Sequence, residues 1–336
     1  MNLETTYMGL PLRNPLVASA SPLSQTLEDI RRLAHAGVGA VVLYSLFEEQ
    51  LKREAVETAG LVDEGAESFA ESLSYFPSLV DEEAGPRVYL SLLERAAAAV
   101  EVPVIGSINC VTPGGWVKYA RAMQDSGAAA IELNIYYLPG DPTISGREVE
   151  QRHVDILMRV KEAVGIPVAV KLSPYFSSTG EMAMRLDEAG ADALVLFNRF
   201  LQPDIDPDRL SVGSQIGLSM PIEGRLPRAW IALLHGRVQC SLAATSGVET
   251  AADVAKFLLA GADVVMTASA LLRHGIAYGT ELLTGLTDWM TQKGFPSVDE
   301  VRGLLAVPHE GDEARFERAE YVAAMRNANT GTYEAQ

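Results

Sequence analysis

A short pattern that marks the end of a helix and the start of a buried strand occurs four times in this sequence. In each copy, a small residue and a glycine precede a brief apolar run that ends on a polar or hydroxyl-bearing residue. The four copies begin at Ala36-Gly37, Ser126-Gly127, Ala189-Gly190 and Ala260-Gly261. Glycine commonly terminates helices, and an unbroken apolar run is typical of a strand buried on both faces. The chain therefore repeats one helix–turn–strand unit.

Four further apolar runs alternate with these copies, so the sequence predicts eight strands separated by helices. The strands are expected to begin near Leu16, Ala40, Pro103, Ala129, Pro167, Ala193, Gln239 and Asp263. Strands that alternate with helices are typical of a parallel sheet, and eight such units form a (β/α)8 TIM barrel. Because these barrels carry their active sites at the carboxyl ends of the strands, the polar residues that end the runs are the first candidates for function.

Long inserts follow three of the expected strands, at residues 46–90, 135–150 and 199–230. They predict elaborated loops at the C-terminal face of the barrel, which could cover a bound ligand or form contacts between subunits. We expect a single barrel domain over residues 1–310. The chain becomes polar beyond this point, and we expect a polar helix and a tail over residues 311–336.

Composition favours a cytoplasmic protein that acts on a small molecule. The 336 residues carry a net charge of −17, which repels nucleic acid and anionic membranes. No apolar run approaches the ~20 residues of a membrane helix, and the first residues lack the features of a signal peptide. The only cysteines, Cys110 and Cys240, predict reduced thiols, and the five histidines have no metal-ligand spacing, so we expect no metal site.

The loops after the last two strands have the composition of a phosphate site. Thr245-Ser246-Gly247 and Thr267-Ala268-Ser269 combine small residues with hydroxyl groups. Small residues let backbone N–H groups approach an anion, and barrels often bind phosphate at these two loops. A capped glycine turn would explain either loop alone. Together they favour a phosphorylated ligand, such as flavin mononucleotide (FMN) or a sugar phosphate.

A lysine and several asparagines lie at the ends of the other strands. Lys171 stands in an otherwise apolar run, where an ammonium is costly unless it meets an anion. It could form a salt bridge with Glu132 of the neighbouring strand, or it could lie beside the electron-rich end of a flavin ring. Asn109, Asn134 and Asn198 could hydrogen-bond to a flat heteroaromatic ring, or each could cap a turn.

A set of short motifs runs through the chain in order and in register with the eight expected strands. The motifs are Asn14-Pro15, Ala18-Ser19-Ala20-Ser21-Pro22, Ile131-Glu132-Leu133-Asn134, Val170-Lys171-Leu172, Thr245-Ser246-Gly247-Val248-Glu249-Thr250, Met290-Thr291-Gln292-Lys293-Gly294-Phe295, Ser297-Val298 and Arg302-Gly303. No single motif is decisive, but by the ordered set the sequence resembles the dihydroorotate dehydrogenase family over residues 5–305.

The resemblance implies an FMN-dependent oxidoreductase that acts on a CH–CH group, with the conversion of dihydroorotate to orotate in pyrimidine biosynthesis as its nominal reaction. It implies that the FMN phosphate binds Ser246, Gly247, Ala268 and Ser269. The isoalloxazine ring is then expected near residues at the other strand ends, which are Ser19, Ala20, Tyr44, Ser45, Asn109, Asn134, Lys171 and Asn198.

The sequence departs from the family at three places that serve the substrate. Tyr137 stands where the family has a cysteine or serine base, and Tyr44 replaces a second lysine at the end of the second strand. Residues 71–77, Glu-Ser-Leu-Ser-Tyr-Phe-Pro, replace an asparagine-rich substrate loop. A site that loses its amide partners should bind orotate poorly, so we expect a diverged substrate.

Two residues are candidates for the proton acceptor. Tyr137 could serve if a neighbouring cation stabilises its phenolate, and Lys171 could be that cation. Tyr137 could instead form an aromatic wall of the pocket. Cys110 follows the third strand and could accept a proton as a thiolate, although most unpaired cysteines are buried and inert.

Three hypotheses follow. The first is an FMN-dependent oxidoreductase with a diverged substrate, in which Tyr137, Lys171 and Asn134 are the catalytic residues. The second is a flavin-binding electron-transfer or scaffold subunit that has lost the dihydroorotate chemistry. The third is a flavin-free aldolase or isomerase that uses Lys171 to form a Schiff base with a sugar phosphate. For the first, we expect a homodimer that passes electrons to an acceptor protein or a small oxidant.

Overall fold

A computed structural model describes residues 1–48, 86–110, 112–137, 140–200, 203–213 and 217–308, together with Val322 and Met325. One compact unit spans Met1–Ala306, and a second spans Val307–Gln336. The helix and tail expected over residues 311–336 lie outside the described residues, apart from Val322 and Met325, which are helical and exposed.

Eight parallel strands close into a barrel, which confirms the predicted (β/α)8 TIM barrel. The strands follow one another in chain order around the barrel, and the eighth pairs with the first. Every strand begins within two residues of its expected position. The strands are β1 (Leu16–Ala18), β2 (Ala40–Phe47), β3 (Val104–Asn109), β4 (Ala130–Asn134), β5 (Val168–Leu172), β6 (Ala193–Leu196), β7 (Ser241–Ala244) and β8 (Val264–Thr267).

Helices connect the strands and surround the barrel, as parallel pairing requires. The described helices are α1 (Leu27–His35), α2 (Pro86–Ala99), α3 (Pro113–Asp125), α4 (Gly146–Ala163), α5 (Thr179–Glu188), α6 (Arg225–Leu234), α7 (Ala251–Ala260), α8 (Ser269–His274), α9 (Tyr278–Lys293) and α10 (Val298–Val301). None of the helices among the described residues is long and apolar enough to cross a membrane.

The four repeated glycines end helices α1, α3, α5 and α7 and have positive φ angles, as the sequence pattern predicts. Their φ angles are +100° at Gly37, +86° at Gly127, +90° at Gly190 and +114° at Gly261. This left-handed conformation is strained for a residue with a side chain. At each of these four positions the glycine lets the chain leave a helix and enter the next strand within a few residues.

Two apolar layers form the core because alternate side chains of each strand face opposite sides. One layer lies between strands and helices, and the other fills the lumen with small and branched side chains such as Val17, Ala169 and Ala243. An antiparallel hairpin (Thr5–Tyr7 with Leu10–Leu12) adds Tyr7 to the lumen layer. Its Met8 N–H donates to Ser241 Oγ at the start of β7, so the hairpin closes the amino end of the barrel.

A β-bulge interrupts β2 near its carboxyl end. Val42 pairs with Ile105 and Ser45 with Ser107, so two residues of β2 lie opposite a single residue of β3. Val42 faces the lumen, and strict alternation would place Tyr44 there as well. The extra residue reverses the alternation beyond the bulge. Ser45 therefore takes the inward position.

Two inserts at the C-terminal face are described in part. After β6, Asp204–Asp206 pairs with Ser211–Gly213 in an antiparallel hairpin. After β2, the described chain resumes at Pro86, the first residue of α2. The expected substrate segment at residues 71–77 therefore lies outside the described residues.

Alanine substitutions at two helix-ending glycines should separate backbone strain from steric contact. Gly294 has φ of +80° and no atom within 4 Å of a built Cβ, whereas at Gly261 the Cβ would lie 2.4 Å from His235 Cγ. We expect Gly294→Ala to lower the free energy of unfolding by about 1 kcal/mol through strain alone. Gly261→Ala should lower it clearly more, because His235 must also move. Urea unfolding of both variants measures the difference, and equal losses would contradict the packing described here.

Candidate functional site

Four polar side chains form a hydrogen-bonded chain across the mouth of the barrel. Ser107 Oγ of β3 lies 2.8 Å from Ser45 Oγ of β2. Asn134 Nδ2 at the end of β4 donates to Ser45 Oγ at 3.1 Å. Asn198 Nδ2, just after β6, donates to Asn134 Oδ1 at 2.6 Å. The structure thus brings together three of the predicted site residues, Ser45, Asn134 and Asn198.

Lys171 and Glu132 form a buried ion pair below this chain. Lys171 Nζ of β5 lies 3.4 Å from Glu132 Oε1 of β4, and their side chains are 8% and 1% exposed. The salt bridge expected as one alternative for Lys171 is therefore confirmed. Among the described residues, Glu132 Oε2 has no hydrogen-bond partner. The ammonium group has three donors, so it can bind another acceptor in the mouth while it remains paired with Glu132.

Lys171 also lies beside Asn134, because the two residues are paired in register between β4 and β5. Its position in the lumen follows from alternation: Ala169, two residues earlier, belongs to the lumen layer. The ammonium therefore projects toward the same opening as the amide of Asn134. A cation and two amides at one opening can hold a flat ring with several acceptors.

The loop after β7 has an unusual backbone at two consecutive residues. Ser246 and Gly247 have φ angles of +76° and +70°. A Cβ on Gly247 would lie 2.4 Å from the backbone nitrogen of Gly224, so only glycine fits at this position. The left-handed conformation of Ser246 is costly for a residue with a side chain, and such strain is concentrated at functional sites.

Ser219 links the two loops of the predicted phosphate site. Its Oγ accepts a hydrogen bond from Gly247 N at 3.2 Å and lies 2.9 Å from Ser269 Oγ. Its backbone N–H also donates to Ser269 Oγ at 2.9 Å. Arg273 Nη2 donates to the Ser219 carbonyl at 3.3 Å. Ser219 was not predicted, because it lies within the long insert after β6 and only the tertiary fold brings it to this place.

The loop after β1 lies next to the same region. Ser19 N donates to the carbonyl of Thr267 at 3.0 Å, which places the end of β1 beside Ala268. Ser19 is buried and Ala20 is half-buried. The predicted residues of the first, seventh and eighth strands therefore form one continuous surface of the mouth.

Three aromatic rings form a cluster after β4, β5 and β6. Tyr136 and Phe200 are stacked with centroids 4.3 Å apart and planes at 14°. Tyr175 meets Phe200 edge-on, with centroids 5.7 Å apart and planes at 74°. The sequence interpretation missed this cluster. The available signal was that each ring follows a polar strand-end residue by two to four positions, with Tyr136 after Asn134, for example.

Comparison with known proteins decides the family. A family model described as dihydroorotate dehydrogenase matches residues 2–290. The chain belongs to the dihydroorotate dehydrogenase family. The dihydroorotate dehydrogenase B (NAD(+)) catalytic subunit of Methanothermobacter thermautotrophicus is 28% identical over 320 residues, which cover 90% of this chain and 98% of the relative. The corresponding subunits of Pyrococcus abyssi and Methanocella arvoryzae are 26% and 28% identical, with the same coverage.

Within this dihydroorotate dehydrogenase fold, Tyr44 packs on the helix side of β2. Its ring meets Tyr89 of α2 edge-on, with centroids 5.0 Å apart. It belongs to the layer between strands and helices, and the β2 bulge explains why. In the described structure Tyr44 is thus not brought to the chain of Ser45, Asn134 and Asn198. This differs from the position expected for it beside the flavin.

Tyr137 lies against a cation, but the cation is Arg152. The Arg152 guanidinium of α4 is 4.5 Å from the centre of the Tyr137 ring. Lys171 was the candidate for the cation beside Tyr137, but it pairs with Glu132 instead. A cation over the ring face is attracted by the π electrons.

Asn109 and Cys110 lie at the end of β3. Both are buried, and Cys110 packs in the layer between strands and helices.

Glu48, one residue past β2, accepts hydrogen bonds from Thr112 N at 2.7 Å and Thr112 Oγ1 at 2.6 Å. This contact ties the end of β2 to the start of α3. Among the described residues, no cluster of three or more His, Cys, Asp or Glu side chains could hold a metal ion.

Burial raises the pKa of Tyr44 to about 12, compared with about 10 for an unfolded tyrosine. The folded protein therefore keeps this proton where the unfolded chain loses it, so the contribution to stability is complete below the unfolded pKa and falls as the pH rises toward the folded value. Between about pH 9 and about pH 11, we expect the free energy of unfolding to fall less in Tyr44→Phe than in the unsubstituted protein. Urea unfolding at both pH values measures this, and parallel losses would contradict a buried Tyr44.

Proposed function

We propose that this chain is an FMN-dependent oxidoreductase of the dihydroorotate dehydrogenase type. The observation that carries the proposal is the position of Lys171. Its buried ammonium lies at the carboxyl end of β5, beside Asn134 in register, and Asn134 is bonded to Asn198. A cation and two amides on neighbouring strands suit the polar edge of an isoalloxazine ring. Membership of the family supports the same cofactor.

The serine–glycine loops fit the phosphate of FMN. Gly247 lies so close to Gly224 that a Cβ would be 2.4 Å from the Gly224 nitrogen, and Ser246 holds a strained conformation beside it. Hydroxyl groups of Ser219 and Ser269 face each other at 2.9 Å, and either can donate to a phosphate oxygen. We infer that Ser219, Ser246, Gly247, Ala268 and Ser269 hold the phosphate.

The remaining mouth residues would hold and orient the ring. Ser19 and Ala20 lie next to the phosphate loops, and Ser45 and Asn109 lie at the ends of the adjacent strands β2 and β3. Bound FMN supplies the acceptor for a hydride from the substrate. Lys171 would stabilise negative charge at the edge of the ring, and Glu132 holds the lysine in place.

Proton transfer is assigned to Tyr137. It lies three residues beyond Asn134, in the position of the family base, and Arg152 lies against its ring. The contact with Arg152 would hold the Tyr137 ring in a fixed place for proton transfer. Cys110 is the weaker candidate, because it packs in the layer between strands and helices.

Substrate and partners are inferred from the relatives. Dihydroorotate is the nominal substrate, because the similar proteins are named dihydroorotate dehydrogenases. Their names include the words "catalytic subunit", which supports an electron-accepting partner protein for this chain. We propose a cytoplasmic homodimer that acts on a small molecule and passes its electrons to such a partner or to a small oxidant.

Gly247→Ala should weaken FMN binding. The added Cβ would meet Gly224 and displace the loop that holds the phosphate. We expect the dissociation constant for FMN to rise about tenfold or more, which corresponds to about 1.4 kcal/mol. Titration of the apoprotein with FMN, followed by quenching of flavin fluorescence, measures the change. Gly294→Ala is the matched control, since it has the same left-handed backbone at the end of α9.

If Gly247→Ala binds FMN as tightly as the control, the assignment of this loop is wrong. Ser219→Ala provides a second variant that adds no atoms. It removes the hydroxyl that links Gly247 to Ser269 and should weaken FMN binding without a steric clash.

Tyr137→Phe should slow the reduction of bound FMN by dihydroorotate about 100-fold or more, because it removes the proton acceptor and keeps the ring. Stopped-flow absorbance under anaerobic conditions measures the rate, and the FMN content should be unchanged. Tyr278→Phe on α9 is the control. An unchanged rate would eliminate Tyr137 as the base. If the unsubstituted protein binds FMN, is reduced by no cyclic amide and exchanges electrons rapidly with a partner flavoprotein or ferredoxin, the electron-transfer hypothesis is favoured instead.

A further inference from the structure

The aromatic cluster of Tyr136, Tyr175 and Phe200 extends directly from the proposed FMN site. Tyr136 and Phe200 each lie two residues beyond the bonded amides Asn134 and Asn198. The amides are hydrogen-bonded at 2.6 Å, and the Tyr136 and Phe200 rings are stacked with their centroids 4.3 Å apart. A hydrogen-bonded pair of amides and a stacked pair of rings therefore follow the same two strands, β4 and β6.

The cluster spans three adjacent strands on one side of the mouth. β5 pairs with both β4 and β6, and the three rings come from the loops that follow these strands. Tyr136 and Phe200 are half-buried, whereas Tyr175 is 58% exposed. The cluster therefore has an outer edge that solvent and a ligand can reach.

Aromatic rings recognise a different ligand from amide groups. The face of an aromatic ring can pack against a flat ligand in offset or edge-on geometry. It offers no hydrogen-bond acceptor to the polar groups of that ligand. Orotate carries a carboxylate and several polar groups on a small ring. Polar groups buried against aromatic carbon lose water without gaining a partner, which is costly. A larger and less polar ring avoids that cost.

We propose that the physiological substrate, in its oxidised form, carries a flat and mainly apolar ring that stacks on the cluster formed by Tyr136, Tyr175 and Phe200. One polar group of this ring system reaches the Asn134–Asn198 pair. The proposal rests on the proposed function, because it places the ligand beside bound FMN. It assigns the aromatic cluster as the specificity determinant of the site.

The test uses the oxidised holoenzyme and two probes that undergo no turnover there, 2-naphthol and orotate. Binding of each is followed by the change in the visible absorption of bound FMN. We expect 2-naphthol to bind about tenfold more tightly than orotate, since its apolar double ring can stack on an outer face of the cluster without burying a charged group. Orotate binding equal to or tighter than that of 2-naphthol would overturn the proposal.

Phe200→Leu keeps an apolar side chain of similar size and removes the ring. We expect it to weaken 2-naphthol binding about fivefold and to leave orotate binding unchanged. Phe295→Leu, which removes a ring that packs against Trp289, is the matched control and should change neither. Equal effects of Phe200→Leu on both probes, or no effect on either, would contradict the assignment.

A second variant of the cluster and the FMN content of the purified protein separate the possible outcomes. Tyr175→Ala removes the exposed ring of the cluster and should also weaken 2-naphthol binding, so the test remains available if Phe200→Leu does not fold. An unaltered affinity in that variant would count against the cluster. Failure of the purified protein to bind FMN overturns the proposed function and this inference with it, whereas bound FMN with orotate preferred overturns the inference alone.

Discussion

Alternation of side chains along the closed barrel determines which residues reach the mouth, and the site depends on it. Ala130, Glu132 and Asn134 lie on the same side of β4, and Ala169 and Lys171 share a side of β5. Because Ala130 and Ala169 fill the lumen, the polar residues beyond them face the opening. The burial of Lys171 is then possible because Glu132 lies 3.4 Å away, since a single buried charge would be far more costly than a pair.

Much of this arrangement could be predicted from the sequence. The repeated glycine pattern located four of the eight strands and the apolar runs between its copies located the other four, because buried parallel strands read as short apolar runs and the helix ends carry glycine. The ends of these runs identified Lys171, Asn134 and Asn198 as strand-end residues, and the structure brings Asn134 together with both of the others. Each of these residues can be recognised from its own short stretch of sequence. The closed barrel then places the ends of neighbouring strands side by side.

Other features depend on contacts between distant segments and could not be predicted. The bulge in β2 reflects its pairing with β3, and it exchanges the positions of Tyr44 and Ser45 relative to strict alternation. Ser219 reaches the phosphate loops only through the fold of the insert after β6. The aromatic cluster requires loops from three strands to meet above the mouth. Side chains on long loops are placed by tertiary packing, so periodicity gives no indication of their partners.

The central claim is that the mouth of this barrel binds FMN. Its most direct test is the flavin content of the purified protein after incubation with FMN and removal of the excess. The account predicts about one FMN per chain, released on denaturation and identified by chromatography. It also predicts that Lys171→Met retains less. Purified, folded protein that binds no FMN under these conditions would contradict the account, because the serine–glycine loops and Lys171 would then have no common ligand.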